Sequence, residues 1–433
     1  MSPGPNPRAP GPADREQAEQ AYQAEIRKNL RRNYVAHLLH GLLGQTGFRL
    51  INAPTMLPAY VLLLSGSELA VGVTRSLQFF GMFLSPLLGA SLIEHRKRVL
   101  PIGLWIGGTM RLQVLGIALA GLLLAPGPAV IAIAAFLFLF GFLLGMQGVI
   151  FNFLLSKVIP VAQRGRLLGL RNALAGATAA VVAYFGGQYL VNSNALGNGY
   201  AATFLFAFGL TSLGLCMLLF VREPVPPEVR PPTQLRERLR DLPALLRADR
   251  AFTRYFLSRA LATMGRMAAP FYIVQARDTI GLSGTSVAVL TAAFVGANSV
   301  ANLGWGVMAD RTGFRRVFVM ALGIWIVSVC GLMLAQTLTE FVLAFIGIGA
   351  GMGGFQMAAQ NMVLEFGRRE DLPLRIAVAN TAQEGVGAIG PILGAVVAIS
   401  LGLNVLYWIA IGCQLAAISM VLLWVDEPRH RTR

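Results

Sequence analysis

Apolar runs of roughly 20 residues, the length a helix needs to cross a bilayer, recur along the whole chain with the polar residues gathered between them. Twelve are predicted, over about 35–62, 69–92, 99–123, 128–156, 168–190, 200–221, 253–275, 287–309, 317–335, 340–364, 376–399 and 404–425. The longest polar interruption divides them into two sets of six. The expected architecture is all-α and membrane-embedded: a tail at 1–33, a six-helix bundle at 34–221, a linker at 222–252, a second bundle at 253–425 and a tail at 426–433. The first tail is Pro-rich and then charged, without an apolar stretch of signal-peptide type; it reads as disordered, leading into a basic helical segment at 20–32. In the linker, Leu235, Leu239, Leu242, Leu245 and Leu246 can share one helical face with arginines opposite, so a helix lying on the membrane surface is expected there.

Composition strengthens this picture. Of the 433 residues 55% are hydrophobic and only 13% charged, about half the charged share of soluble domains. The net charge of +16 does not point to nucleic acid, because the basic residues form no single stripe. Thirty of the 36 fall in the tails and in alternate loops, which the positive-inside rule reads as cytoplasmic. Both termini are therefore expected in the cytoplasm of a bacterial cell, with the bundles in its inner membrane. Cys216, Cys330 and Cys413 lie inside apolar runs, without disulfide or metal spacing.

One loop organises the rest. Between two apolar runs stands Gly306-Val-Met-Ala-Asp310-Arg311-Thr-Gly313-Phe314-Arg315-Arg316. The spacing of Gly306, Asp310, Arg311, Gly313 and Arg315 resembles the loop signature of the major facilitator superfamily, with Phe314 where that signature usually carries a basic residue. Gly89 to Leu100, with Glu94 as its acid, resembles a degraded copy in the first half, and Arg164-Gly-Arg166 resembles the family's loop between helices four and five. The resemblance implies two pseudo-symmetric six-helix bundles that rock about a central cavity and expose it alternately to each side. It implies that the loop-motif residues, Arg316 included, pair at helix ends to hold one conformation. The family's drug/proton antiporters are matched poorly: Leu144 stands where an Arg precedes Gln147-Gly148, and Gly186-Gly187 lacks the following Pro, although Gly387, Gly390, Pro391 and Gly394 look like a displaced version.

Charges inside the spans point to function, since each costs roughly 2.5 to 3.5 kcal/mol at the bilayer centre unless it faces a cavity or partner. Arg49, Arg111 and Arg266 lie midway along spans 1, 3 and 7, and Glu384 is the clear intramembrane acid. Arg75 and Arg259 stand nearer span ends and are expected to snorkel to an interface. Arginine keeps its charge and offers a planar fork suited to carboxylate or phosphate. Arg49 and Arg266, on equivalent helices, resemble the arginine pair of the superfamily's phosphate and organophosphate antiporters. Matching Pro58-Ala-Tyr60 to Pro270-Phe-Tyr272 instead sets Arg266 opposite Pro54. Arg111 could also be locked to backbone carbonyls or to Glu384. Asn52, Gln147, Gln356 and Gln360 join the three arginines as candidate substrate-binding residues; Gln45, Gln78, Gln113, Asn152, Asn298, Asn302 and Asn361 are further polar positions, more of them interhelical than path-lining. Glu384 has two readings: a proton carrier that couples transport, or an ionised gate partner of an arginine. His37 and His40 share a face without an acidic partner and read as a packed or water-facing pair.

These residues predict a monomeric secondary transporter for a small organic solute, first of all an anion, with protons as candidate coupling ion and lipids as surroundings. Export of amphipathic drugs or lipids by the same fold, and a transport-inactive receptor or scaffold, are the rivals. No cofactor or metal is expected, and no nucleophile-base constellation suggests an enzyme.

Overall fold

The computed structural model describes residues 12–93, 95–227, 249–363 and 372–425. Glu94, the expected linker helix and the second tail lie outside them. Among the described residues twelve helical passes follow one another: α1 (Pro12–Asn52, resumed at Met56–Ser65), α2 (Glu68–Leu84 and Pro86–Ile93), α3 (Leu100–Leu123), α4 (Pro126–Val158), α5 (Val161–Phe185, extended by a π-helical turn Gly186–Val191), α6 (Gly199–Met217), α7 (Arg250–Met264, Gly265–Phe271 and Tyr272–Ile280), α8 (Gly284–Thr312), α9 (Phe314–Leu334), α10 (Leu338–Met362), α11 (Leu372–Leu401) and α12 (Leu403–Trp424). Ten are long and apolar enough to span a membrane unaided, and the bent α1, turned by 42°, adds an eleventh. The seventh crossing is too polar to qualify by composition and is interrupted by 3-10 geometry over Gly265–Phe271, around Pro270, which removes a backbone donor from the helix interior.

Large apolar side chains cover the outside: Leu123, Ile131, Val327, Leu334 and Leu423 are each more than 70% exposed. Such a surface suits lipid, where every backbone group must be satisfied within its own helix. The basic lead-in is continuous with α1 from Pro12 onwards, so this part of the expected disordered tail is helical.

The halves repeat each other. α2 packs on α4, α3 on α4 and α1 on α6, as α8 packs on α10, α9 on α10 and α7 on α12. Side chains follow: Tyr60 stacks on Tyr200 at 5.2 Å and Tyr272 packs at a tilt on Tyr407 at 5.9 Å, and the hydroxyls of Tyr60 and Tyr272 accept from Asn198 and Trp325, each at 3.0 Å. This sets Tyr60 against Tyr272, and so Pro54 against Arg266. Arg49 and Arg266 are not equivalents; the break in α1 is the equivalent of the 3-10 stretch in α7.

At the end of the bundle where the chain enters and leaves, called the terminal end here, arginines close helices. Arg164 donates to the carbonyls of Ile159 and Ser156 after α4 at 2.8 and 2.6 Å, and Arg315 to those of Val421 and Leu422 in α12 at 3.3 and 2.8 Å. Cations suit these unsatisfied carbonyls. Gly313, at φ 86°, turns the chain from α8 into α9, while Asp310, Arg311, Arg316 and Arg166 are exposed.

Glu223 holds this end of the first half together. Its carboxylate accepts from the amides of Val99 and Leu100 at 2.8 Å each, capping α3, and from Lys157; both side chains are at least 94% buried. Removing one partner of a buried, hydrogen-bonded ion pair costs about 3 kcal/mol or more. Glu223→Ala is therefore expected to lower the thermal midpoint of the purified protein by several degrees, measured by tryptophan fluorescence in detergent; an unchanged midpoint would make this junction dispensable.

Candidate functional site

A cavity of about 500 Å³ lies between the halves, walled by α1, α2, α4, α5, α7, α8, α10 and α11. Its floor is made by the two helix interruptions, through Asn52, Ala53 and Pro54 on one side and Arg266, Ala269 and Pro270 on the other. Where a helix breaks inside a membrane its freed backbone groups must find partners. In α1 they find Arg75, which donates to the carbonyls of Ile51, Asn52 and Ala53 at 3.4, 2.5 and 3.4 Å. Its remaining reach goes to Gln78 Oε1 at 2.7 Å, and Gln78 donates to Asn52 Oδ1 at 2.7 Å. The expectation that Arg75 snorkels is therefore corrected: 6% exposed, it turns inward because the broken helix offers three carbonyls there.

Arg49 also faces the cavity, and bridges the halves: Nη1 donates to Ser299 Oγ of α8 at 2.5 Å and Nη2 to the carbonyl of Asn172 in α5 at 3.3 Å. Gly176 makes this crossing possible, because a Cβ there would occupy the place of the Ser299 side chain. Arg266 differs. Among the described residues it makes no hydrogen bond; its guanidinium lies over the Phe79 ring at 5.2 Å, on which Arg75 also rests at 5.9 Å. Glu384 stands in the same wall, with Oε2 buried and without a hydrogen-bond partner. The cavity wall thus carries three guanidiniums against one carboxylate, with Phe48, Phe79 and Phe294 as apolar surfaces and Gln45, Asn298, Gln356 and Gln360 as amides.

Of the sequence-predicted binding residues, Arg49, Arg266, Asn52, Gln356 and Gln360 meet here, as does Glu384. Arg111 and Gln147 do not. Arg111 is buried within the first half, donating to the carbonyls of Thr211 and Gly107 at 2.5 and 2.6 Å, and Gln147 lies beside it, close to Gly107. Arg259 is corrected as well: it is 2% exposed and holds Gln383 Oε1 at 2.5 Å and Asn380 Oδ1 at 3.0 Å, so it braces α11 one turn from Glu384. Sequence reasoning missed Phe79, Asn172 and Arg171, the last buried in α5.

The cavity is closed at the end away from the termini. There Thr55 meets Thr291 at 2.6 Å, Asn192 donates to Thr285 at 2.6 Å, the amide of Ile392 donates to Ser76 Oγ at 3.1 Å and Arg277 stands 3.8 Å from Glu68. Towards the terminal end the small residues that would let the halves close are uncovered: nothing lies within 4 Å of a Cβ at Gly169, Gly304 or Gly306. The cavity is thus sealed at the far end and lies open towards the terminal end.

Residues 255–433 match the family model described as Major Facilitator Superfamily. The solved structures that resemble the whole chain are transporters of the same architecture. The D-xylose-proton symporter superposes with a TM-score of 0.69 at 16% identity, over 92% of this chain and 99% of its own. A point mutant of the nucleoside transporter NupG gives 0.69 at 12% identity, over 91% and 99%, and NupG itself 0.61 at 14%, over 91% and 97%. Over its second half the chain matches the superfamily's model, and nine-tenths of it shares the fold of these transporters; it is a multi-pass membrane protein. No curated protein sequence matches it. At such identities the neighbours establish the fold and leave the solute to be argued from the cavity.

Proposed function

We propose that this protein is a secondary transporter of small organic anions, in which the halves at 34–221 and 253–425 rock about the cavity. The single observation that carries the reading is Arg266: a guanidinium on the wall of a cavity of about 500 Å³, with an aromatic face beneath it and no hydrogen-bond acceptor. A planar fork left open in this way suits a carboxylate or phosphate. The excess of arginine over carboxylate favours an anion in the cavity, and the volume lies in the usual range for small-molecule sites. Three phenylalanines favour an anion with an apolar or ring-shaped body over inorganic phosphate. In the same reading Arg49 completes the anion's cradle from the other half, and the 30 basic residues of the tails and alternate loops support a bacterial inner-membrane orientation with cytoplasmic termini, so that the open side faces the cytoplasm. The transporter works as a monomer.

Glu384 is the proposed coupling group. An anion entering beside an ionised carboxylate is repelled, and a proton on Glu384 removes the repulsion; one named neighbour in the fold is a proton symporter.

Uptake into proteoliposomes tests the proposal with panels of phosphorylated and carboxylated compounds against neutral sugars and nucleosides. Saturable uptake of an anion, driven by an inward proton gradient in the native protein and insensitive to that gradient in Glu384→Gln, is expected. Saturable uptake of a neutral solute that no anion inhibits would overturn the anion reading; full gradient dependence in Glu384→Gln would remove Glu384 as the carrier.

A further inference from the structure

Arg266 and Glu384 line the same cavity with opposite charges and do not meet. They are near enough to attract each other, yet Glu384 Oε2 is buried without a hydrogen-bond partner and Arg266 donates to no acceptor among the described residues. An arginine and a carboxylate so placed ordinarily close into a bidentate pair. Had they done so here, the fork of Arg266 would be occupied and Glu384 held ionised, and neither could play the part proposed above. Of the two guanidiniums beside Glu384, Arg259 is held by Gln383 and Asn380. Arg266 has no such polar tether.

It rests instead on Phe79, with its guanidinium carbon 5.2 Å from the ring centroid. The ring is itself well fixed. Arg75 lies over it at 5.9 Å, and Arg75 is anchored on the carbonyls of the break in α1. α11 approaches the ring at Gly387, where a Cβ would stand 3.4 Å from Phe79 Cγ. Gly387 follows Glu384 by three residues, which sets the two on one face of the helix about a turn apart. The ring therefore packs on α11 next to the carboxylate.

The competing attractions are close in size, so a single ring is able to set the balance. In a cavity open to water an ion pair gains little, because solvent screens it and two long side chains lose their freedom. A guanidinium over an aromatic face gains a comparable amount, and more where water is excluded from the contact.

From these contacts we infer that Phe79 is a positioning residue of the transport site: its ring holds the Arg266 guanidinium off Glu384, keeping the fork open for the solute's anionic group and the carboxylate free to take up a proton. The inference rests on the anion reading for what Arg266 receives, but not for where Phe79 holds it. Ring and guanidinium come from different halves, on α2 and α7, so the support exists only while those helices lie together as they do here. With the ring gone, Arg266 closes on Glu384, and an anion must displace a carboxylate before it binds.

The test uses the full chain purified in detergent. Without added solute, thermal midpoints are compared for Arg266→Gln, Glu384→Gln and the two combined, first in the native background and then beside Phe79→Leu. In the native background the single shifts should sum to the double within about 1 °C; beside Phe79→Leu they should depart from the sum by about 3 °C or more, because an ion pair has formed. With phenyl phosphate as the probe, isothermal titration should find Phe79→Leu about tenfold weaker than native and Phe79→Tyr close to native. The loss should shrink to about twofold or less when Glu384→Gln is present in both proteins, a recovery that neither lost packing nor lost stacking on the probe would give. Additive midpoints beside Phe79→Leu, native affinity in Phe79→Leu, or a loss that persists beside Glu384→Gln would each overturn the inference. A native protein that binds neither phenyl phosphate nor any other anion would instead overturn the anion reading, and the solute-free midpoints would still decide what Phe79 does.

Discussion

Arg266→Ala is expected to weaken binding of the transported anion at least about thirtyfold, while leaving the ligand-free protein about as stable as before. The size follows from truncating one partner of a desolvated charge pair, which costs roughly 2 to 5 kcal/mol, each 1.4 kcal/mol being about tenfold. The second half of the statement is the more diagnostic. Arg266 has no hydrogen bond to lose; removing it withdraws its attraction for Glu384, but this is offset by the end of its proximity to Arg75 across the Phe79 ring. Its thermal midpoint without solute should therefore match the native value or exceed it, and the stabilisation by added anion should disappear. Arg266→Lys should fall between, because an ammonium keeps the charge but not the fork. Arg49→Ala should behave differently, losing anion binding together with the Ser299 and Asn172 contacts that join the halves, so that its midpoint falls even without solute. Isothermal titration and thermal denaturation of the variants, side by side, separate the two roles. Native affinity in Arg266→Ala would remove the cavity's open guanidinium from the binding site.

The contrast between these arginines marks the limit of what the sequence could reveal. Hydropathy located the twelve crossings to within a few residues over most of their length, because a lipid-facing helix needs an unbroken apolar run and the loops between are short and basic. It also set Arg49 and Arg266 midway along their spans and marked Glu384 as the intramembrane acid, and all three line one cavity. What it could not resolve is direction. Arg75 lies near the end of a span, where a long side chain normally reaches for water; only the break at Ala53–Thr55 supplies the carbonyls that draw it inward. Pro54 and Pro270 were the available signal, since a proline inside a span leaves a carbonyl without its donor, and the Tyr60 to Tyr272 match aligns the two interruptions. Arg111 failed for the opposite reason. Its mid-span depth is right for a cavity residue, but it faces α6, and the helical position that decides this depends on packing between α3 and α6. Arg171 was passed over because it follows closely on the basic Arg164-Gly-Arg166, yet α5 begins at Val161 and is already buried by the time it reaches Arg171.

Arg75→Ala is expected to damage the fold first and transport as a consequence. The substitution leaves the carbonyls of Ile51, Asn52 and Ala53, and Gln78 Oε1, without the donor they share. Each buried acceptor left unmet costs about 1 to 3 kcal/mol, and water entering from the cavity can meet only the outermost, so a net loss of about 3 kcal/mol is a moderate expectation. The cost falls on the junction that aims Asn52 and Arg49 into the cavity, one helical turn apart. Without it, the upper segment Met56–Ser65 is held to the lower one by little beyond the Ala53 amide on the Arg49 carbonyl at 2.9 Å. Arg75→Lys should recover little, because one ammonium cannot span three carbonyls and an amide in the geometry that the guanidinium fork provides. The measurable signature is a thermal midpoint several degrees below native in the absence of solute, accompanied by loss of anion binding, the reverse order of effects from Arg266→Ala. Should Arg75→Ala keep its native midpoint and lose only binding, Arg75 would belong to the solute site, and the break in α1 would have to be held open by something other than this side chain.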